Sequence, residues 1–118
     1  MPRRISPADG AAAVAAWRAE DVGRATRATA VRYTLEELAE RAPGHAVEVR
    51  VPPFGVVQCI EGPRHRRGTP PAVVETDAQT WLSLAVGDLT WAVAVDTGAV
   101  RASGQRTDLT EYLPLVRE

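Results

Sequence analysis

The chain has 118 residues and a formal net charge of −1, with 14 basic and 15 acidic side chains. This length suits one domain that buries its core without disulfide bridges, and a single cysteine, Cys59, cannot form an intramolecular bridge. The charge excludes a generally basic nucleic-acid-binding protein, and no apolar run approaches the roughly 18 residues of a membrane span. We therefore expect one soluble domain, residues 1–118, in the cytoplasm.

Two helical patterns occupy residues 1–44. Ser6 followed by Pro7 is typical of a helix start, and this first helix should run to about Glu20 with Val14 and Trp17 buried. A second amphipathic helix is predicted by an apolar stripe with three- and four-residue spacing, which comprises Ala28, Val31, Leu35, Leu38 and Ala42.

The second helix has two further signals. Thr34 with Glu37 forms a capping-box pattern in its middle, which allows a break, although the sustained stripe favours one continuous helix. Pro43 and Gly44 end it.

Two strand patterns follow. Val47, Val49 and Val51 alternate with charged residues, which predicts a half-buried strand with one face in water. The run VVQCIE is a second, more uniformly apolar strand, and residues 62–71 form a long loop.

The remaining pattern is strand, helix, helix, strand. AVVE is a short β-branched run, and either Thr76 or Asp77 can cap the helix that follows. Gly87 is placed to end this helix, whose apolar face consists of Trp81, Leu82, Leu84 and Ala85.

Thr90 can cap a second short helix that carries Trp91, Ala94 and Val95, and Gly98 ends it before the chain extends through residues 100–102. The pattern does not assign a conformation to residues 105–118. Short connections between consecutive strands predict an α+β fold, with a mainly antiparallel sheet covered on one side by helices. Residues 1–44 supply the N-terminal helices, and 45–118 supply the sheet with two short helices.

Several residues invite chemical interpretation. Arg64, Arg66 and Arg67 flank His65 in the long loop; guanidinium groups bind phosphate or carboxylate, so these three arginines are candidate anion contacts, or else the loop is a solvated hairpin tip. His65 could lower the pKa of Cys59 and activate it as a thiolate, but a cysteine within an apolar strand behaves as a small hydrophobe. The residue spacing contains no recognisable metal site, phosphate-binding glycine loop or serine nucleophile.

The two tryptophans of the short helices have two interpretations. Trp81 and Trp91 lie ten positions apart, and the intervening glycine turn allows both indoles to face the same sheet. They then either fill the core or border an apolar cavity.

The segment from Val73 to Val116 resembles the C-terminal half of the sterol carrier protein family, whose members carry a pattern like WLxLAxGxLTWxxAVxxGxVRxSG. The matching positions run from Trp81 to Gly104, after a helix start at Thr76 and Asp77. The whole chain also looks like a compact bacterial branch of that family.

The resemblance implies an apolar ligand between sheet and helices, such as a sterol or fatty acyl chain, with no cofactor, no nucleic acid and no catalysis. The ligand-binding residues it implies are Trp81, Leu82, Ala85, Trp91, Val95 and Val57. Arg64, Arg66 and Arg67 would then contact a head group or a membrane surface peripherally. The alternative is a ligand-free interaction or oligomerisation module associated with an enzyme.

Overall fold

A computed structural model describes residues 5–62 and 68–116 of the chain. Within them lie four α-helices, four β-strands and one short 3-10 helix at Thr110–Tyr112. The α-helices are α1 (Pro7–Arg18), α2 (Arg24–Arg41), α3 (Ala78–Val86) and α4 (Trp91–Asp96). The strands are β1 (Val47–Val51), β2 (Gly55–Cys59), β3 (Ala72–Thr76) and β4 (Val100–Ser103).

The four strands form one sheet in the order β2-β1-β3-β4. The β1–β2 and β3–β4 pairs are antiparallel and the β1–β3 pair is parallel, which confirms the predicted α+β fold with a mostly antiparallel sheet. The consecutive strands β2 and β3 do not pair, because β1 lies between them. Ala46, next to the start of β1, bonds to both sides: its N–H donates to Ile60 O and its carbonyl accepts from Ala72 N, each at 2.9 Å.

The sheet has one buried face and one wet face, as the alternation in β1 predicts. Val47, Val49 and Val51 are fully buried, whereas Glu48 and Arg50 form an ion pair at 2.6 Å on the outer face. β2 alternates too despite its apolar composition.

In β2 the side chain of Val57 is buried and that of Val56 is 53% exposed. The N-terminal helices pack against the inner face, where α2 lies over β2 and α1 over α2.

Side-chain caps begin three of the helices. Ser6 accepts from Asp9 N at the start of α1, and Thr90 accepts from Val93 N at the start of α4. Asp77 rather than Thr76 caps α3, and Gly87 ends it with a φ of 87°. Thr76 is the last residue of β3, and its hydroxyl donates to Ala99 O at 2.8 Å.

The second helix is continuous, as its apolar stripe predicts. Thr34 is fully buried in its middle, where the hydroxyl donates to the Ala30 and Val31 carbonyls. The same oxygen accepts the indole N–H of Trp81 at 2.8 Å. This bond joins α2 to α3 inside the core.

The contact between α1 and α2 requires a glycine. A Cβ added at Gly10 would lie 2.1 Å from Cγ of Tyr33, so the Tyr33 ring occupies the space that any side chain at position 10 would need. No helix within the described ranges is both long and apolar enough to cross a bilayer.

Thr34→Val should lower the free energy of unfolding by about 1–3 kcal/mol, because it keeps the side-chain shape but leaves the buried Trp81 N–H without an acceptor. Urea denaturation measures the change. Thr34→Ser, which keeps the hydroxyl, is the matched control and should be less destabilised than the valine variant.

A double-mutant cycle isolates the hydrogen bond. Trp81→Phe should cost less in the Thr34→Val background than in the natural chain, because the N–H is then already unpaired. Purely additive effects of the two substitutions would show that the bond contributes nothing.

Candidate functional site

The three expected ligand-binding residues of α3 lie in the core. Trp81, Leu82 and Ala85 have no exposed surface, and the Trp81 indole is oriented by its bond to Thr34. These side chains are therefore in contact with protein on all sides.

The other three expected residues lie apart from that cluster. Val57 belongs to β2, at the opposite edge of the sheet from β4, and is buried facing α2. Trp91 and Val95 are neighbours one turn apart on α4, where Trp91 is half-buried and Val95 is 43% exposed. The fold thus gathers Trp91 and Val95 on one surface and places Val57 elsewhere.

Trp91 borders an apolar cleft, which we call the Trp91 cleft. Its volume is about 180 Å³, and it opens between the end of α3, the start of α4 and residues 108–116, which we call the C-terminal segment. Its lining residues are mainly apolar: Leu84, Gly87, Leu89, Thr90, Trp91, Thr110, Leu113 and Pro114.

The C-terminal segment forms one wall of this cleft. The N–H groups of Leu115 and Val116 both donate to Ala85 O, at 2.8 and 3.0 Å. The Arg41 guanidinium donates to Pro114 O and Leu115 O, at 3.3 and 2.7 Å. These bonds fix residues 114–116 between the ends of α2 and α3, a contact for which the sequence pattern gives no signal.

A tight turn starts the same segment. The Asp108 carboxylate accepts from the hydroxyl and the backbone N–H of Thr110, and these two bonds lower the pKa of Asp108. Leu109 follows Asp108 and is fully buried. The turn therefore positions Thr110 at the rim of the Trp91 cleft.

The helix beside the cleft is weakly embedded. Ala94 is its one buried residue, while Val93 is 49% and Val95 43% exposed. Val95 lies one turn after Trp91 on the same side of α4, and Val93 lies on the opposite side. Such a short helix with few buried contacts belongs to the least stable part of a fold.

A larger depression, of about 500 Å³, lies on the outer face of the sheet. Its walls include Glu48, Arg50 and Glu75. These groups already take part in ion pairs, Glu48 with Arg50 and Glu75 with Arg101. Because hydrocarbon there would desolvate charged groups, the Trp91 cleft is the better candidate for an apolar ligand despite its smaller size.

Cys59 has no exposed surface, and burial raises the pKa of its thiol from 9.0 to about 11. The thiol is therefore protonated at neutral pH, whereas a nucleophilic cysteine needs a lowered pKa. Arg64, His65, Arg66 and Arg67 lie outside the described residues. Among residues 5–62 and 68–116, no group of three His, Cys, Asp or Glu side chains could hold a metal ion.

Comparison with known proteins gives one family match. A family model described as the bacterial SCP ortholog matches residues 23–115, a range that includes α2, the whole sheet and all the residues lining the Trp91 cleft. A search of curated proteins found no match.

Cys59→Ala should leave the protein folded, at a cost of about 1 kcal/mol. Because the folded thiol keeps its proton between pH 9.0 and about 11 while the unfolded thiol loses it, its contribution to stability is complete below pH 9 and declines as the pH rises towards 11.

Denaturation of both proteins across this pH range provides the test. The stability difference between the natural chain and Cys59→Ala should shrink as the pH rises. A difference that stays constant would mean that Cys59 ionises equally in the folded and unfolded states.

Proposed function

Because the chain belongs to the bacterial branch of the sterol carrier protein family, we propose that it holds an apolar small molecule, a sterol or fatty acyl chain, with the hydrocarbon in the Trp91 cleft. The family is in general of the non-catalytic carrier type, and we propose that this chain, too, binds without transforming its ligand.

The observation that carries the proposal is the apolar lining of the Trp91 cleft. Leu84, Leu89 and Leu113 offer hydrocarbon walls, and the Trp91 indole adds a flat apolar surface. Binding pockets of this character are lined mainly by hydrophobic and aromatic side chains with few polar groups. Thr90 and Thr110 supply hydroxyl groups at the same cleft.

The volume limits what enters without rearrangement. At about 180 Å³ the cleft exceeds the roughly 150 Å³ that accommodates benzene, but it is smaller than the roughly 300–1,000 Å³ of pockets for drug-sized ligands. One end of an acyl chain fits as the cleft stands. A sterol exceeds this volume and requires α4 to move outward and widen the cleft.

The energetics favour such a movement only for a long hydrocarbon. Each buried methylene contributes about 0.8 kcal/mol, while association costs on the order of 4–15 kcal/mol before any net affinity appears. A short chain confined to the existing cleft would therefore bind weakly. A long chain that displaces α4 gains more, since α4 gives up only the burial of Ala94 and the partial burial of Trp91.

The exposed valines of α4 support a second candidate function. Val93 and Val95 leave apolar side chains exposed on α4, and a partner protein or a second copy can cover exposed apolar surface. This interaction module, without a ligand, is the alternative to a carrier.

Titration with oleate should change tryptophan emission saturably, and Trp91→Phe should remove most of that change. Trp17 and Trp81 are buried away from the cleft and serve as internal references, so Trp17→Phe should keep the response. Emission that is indifferent to oleate and to a sterol analogue, in folded and lipid-free protein, would contradict the carrier function.

Two valines of similar exposure give a matched pair of variants. Val95→Ser alters α4 one turn after Trp91, whereas Val56→Ser alters the outer face of β2, where the valine is 53% exposed. We expect about a twofold to tenfold loss of oleate affinity for the first variant and no change for the second.

Sedimentation separates the carrier from the interaction module. If α4 is an interface between copies, the natural chain will dimerise without ligand and Val95→Ser will dissociate it, while oleate has no effect. A monomer that binds oleate supports the carrier.

A further inference from the structure

Three arginines of α2 contact Phe54, which lies on the turn between β1 and β2. The guanidinium carbons of Arg24 and Arg27 lie 5.4 and 5.3 Å from the centroid of the Phe54 ring. Arg32 donates from Nε to Phe54 O at 2.9 Å. We call Arg24, Arg27 and Arg32 the arginine cluster.

Within the described part of the chain these three cations form no ion pair with a carboxylate. The other described arginines of the sheet behave differently, since Arg50 is bound to Glu48 and Arg101 to Glu75. The cluster thus concentrates positive charge in a protein whose formal net charge is −1.

One hydrogen-bond donor of the cluster, Nε of Arg27, is buried from water and unpaired: it has no hydrogen-bond partner among residues 5–62 and 68–116. A buried donor without a partner is unfavourable, because it has lost its hydrogen bonds to water. The Phe54 ring faces the guanidinium, but its π electrons do not replace a directional acceptor.

Asp21 is the acidic side chain at this helix start, and its oxygens are already engaged. One accepts from Gly23 N at 2.9 Å and the other from the Thr26 hydroxyl at 2.8 Å, and these bonds lower the pKa of Asp21. Asp21 therefore makes its hydrogen bonds to Gly23 and Thr26 rather than to the arginine cluster.

We propose that the arginine cluster binds a phosphate group, with Arg24 and Arg27 as the principal contacts and Phe54 as the apolar base that keeps their guanidinium planes together. A phosphomonoester carries about −1.5 to −2 charges at pH 7 and three acceptor oxygens, which suits a group of three cations. A carboxylate ligand supplies less charge and fewer acceptors. Guanidinium groups present their donors in a planar fork suited to phosphate oxygens.

This site is separate from the Trp91 cleft. The two sites share no residue, and α2 runs from the arginine cluster at its start to Arg41, which contacts the C-terminal segment, at its end. The proposal of a phosphate site therefore does not depend on the proposed carrier function.

Titration with inorganic phosphate tests it, with chloride used to hold the ionic strength constant and amide and arginine Nε–H signals followed by NMR. We expect saturable shifts at residues 23–27 and Phe54 and at the Arg27 Nε–H. Arg24→Gln combined with Arg27→Gln should weaken binding about tenfold or more, since hydrogen bonds to charged groups are lost.

Two further variants separate binding from folding and from bulk charge. Arg101→Gln with Arg106→Gln removes the same charge from other surfaces and should leave the phosphate affinity within about twofold. Arg24→Lys with Arg27→Lys keeps the charge and the contact with Phe54 but loses the planar fork, and should bind phosphate several-fold more weakly while remaining folded by circular dichroism.

Vesicles distinguish the source of the phosphate. Phosphatidylcholine vesicles with and without phosphatidic acid are compared; retention that needs phosphatidic acid, Arg24 and Arg27, and that inorganic phosphate displaces, assigns a lipid phosphate. Saturable phosphate binding without vesicle retention assigns a free phosphate compound. Shifts that are linear in phosphate, or equal in the two double glutamine variants, overturn the proposal.

Discussion

The buried hydrogen bond between the Trp81 indole and the Thr34 hydroxyl is the constraint on which the rest of the core depends. Because the hydroxyl gives its proton to the carbonyls of its own helix, its lone pair is directed to the indole N–H, and α3 can dock on α2 in one orientation. That orientation turns Leu84, one turn further along α3, towards the Trp91 cleft. It also brings Ala85 to the C-terminal segment, where its carbonyl receives two backbone N–H groups.

The two tryptophans of the short helices consequently differ: Trp81 is packed in the core, whereas Trp91 borders a cleft. The Trp81 ring is fully buried and its N–H is bonded to Thr34. A ligand could contact this ring only by breaking existing protein contacts. Trp91 begins a helix of six residues with one buried side chain. The cleft beside it is lined partly by the C-terminal segment, which contains no strand and no long helix. A ligand that enters near Trp91 displaces weakly held protein, whereas one that enters near Trp81 displaces the core.

Local signals in the sequence predicted what local interactions determine. The valines of β1, the stripe of α2, the cap of α3 at Asp77 and the left-handed Gly87 all follow from neighbouring residues, and the structure confirms them. The different environments of Trp81 and Trp91 do not, because each sits in a short apolar helix and the acceptor for Trp81 lies 47 positions away. The insertion of β3 beside β1, and the fold of the C-terminal segment onto α3, are likewise set by distant pairings.

The parallel β1–β3 pair divides the chain into two interdependent halves. The N-terminal half contains α1, α2, β1 and β2, and the C-terminal half contains β3, α3, α4 and β4. Each half alone would expose a row of unpaired backbone groups along the central strand that its counterpart normally covers, and would leave Thr34 or Trp81 without its counterpart. We therefore expect the two halves to fold only together. Two fragments separated between β2 and β3 should reassociate, which makes the chain suitable for fragment complementation.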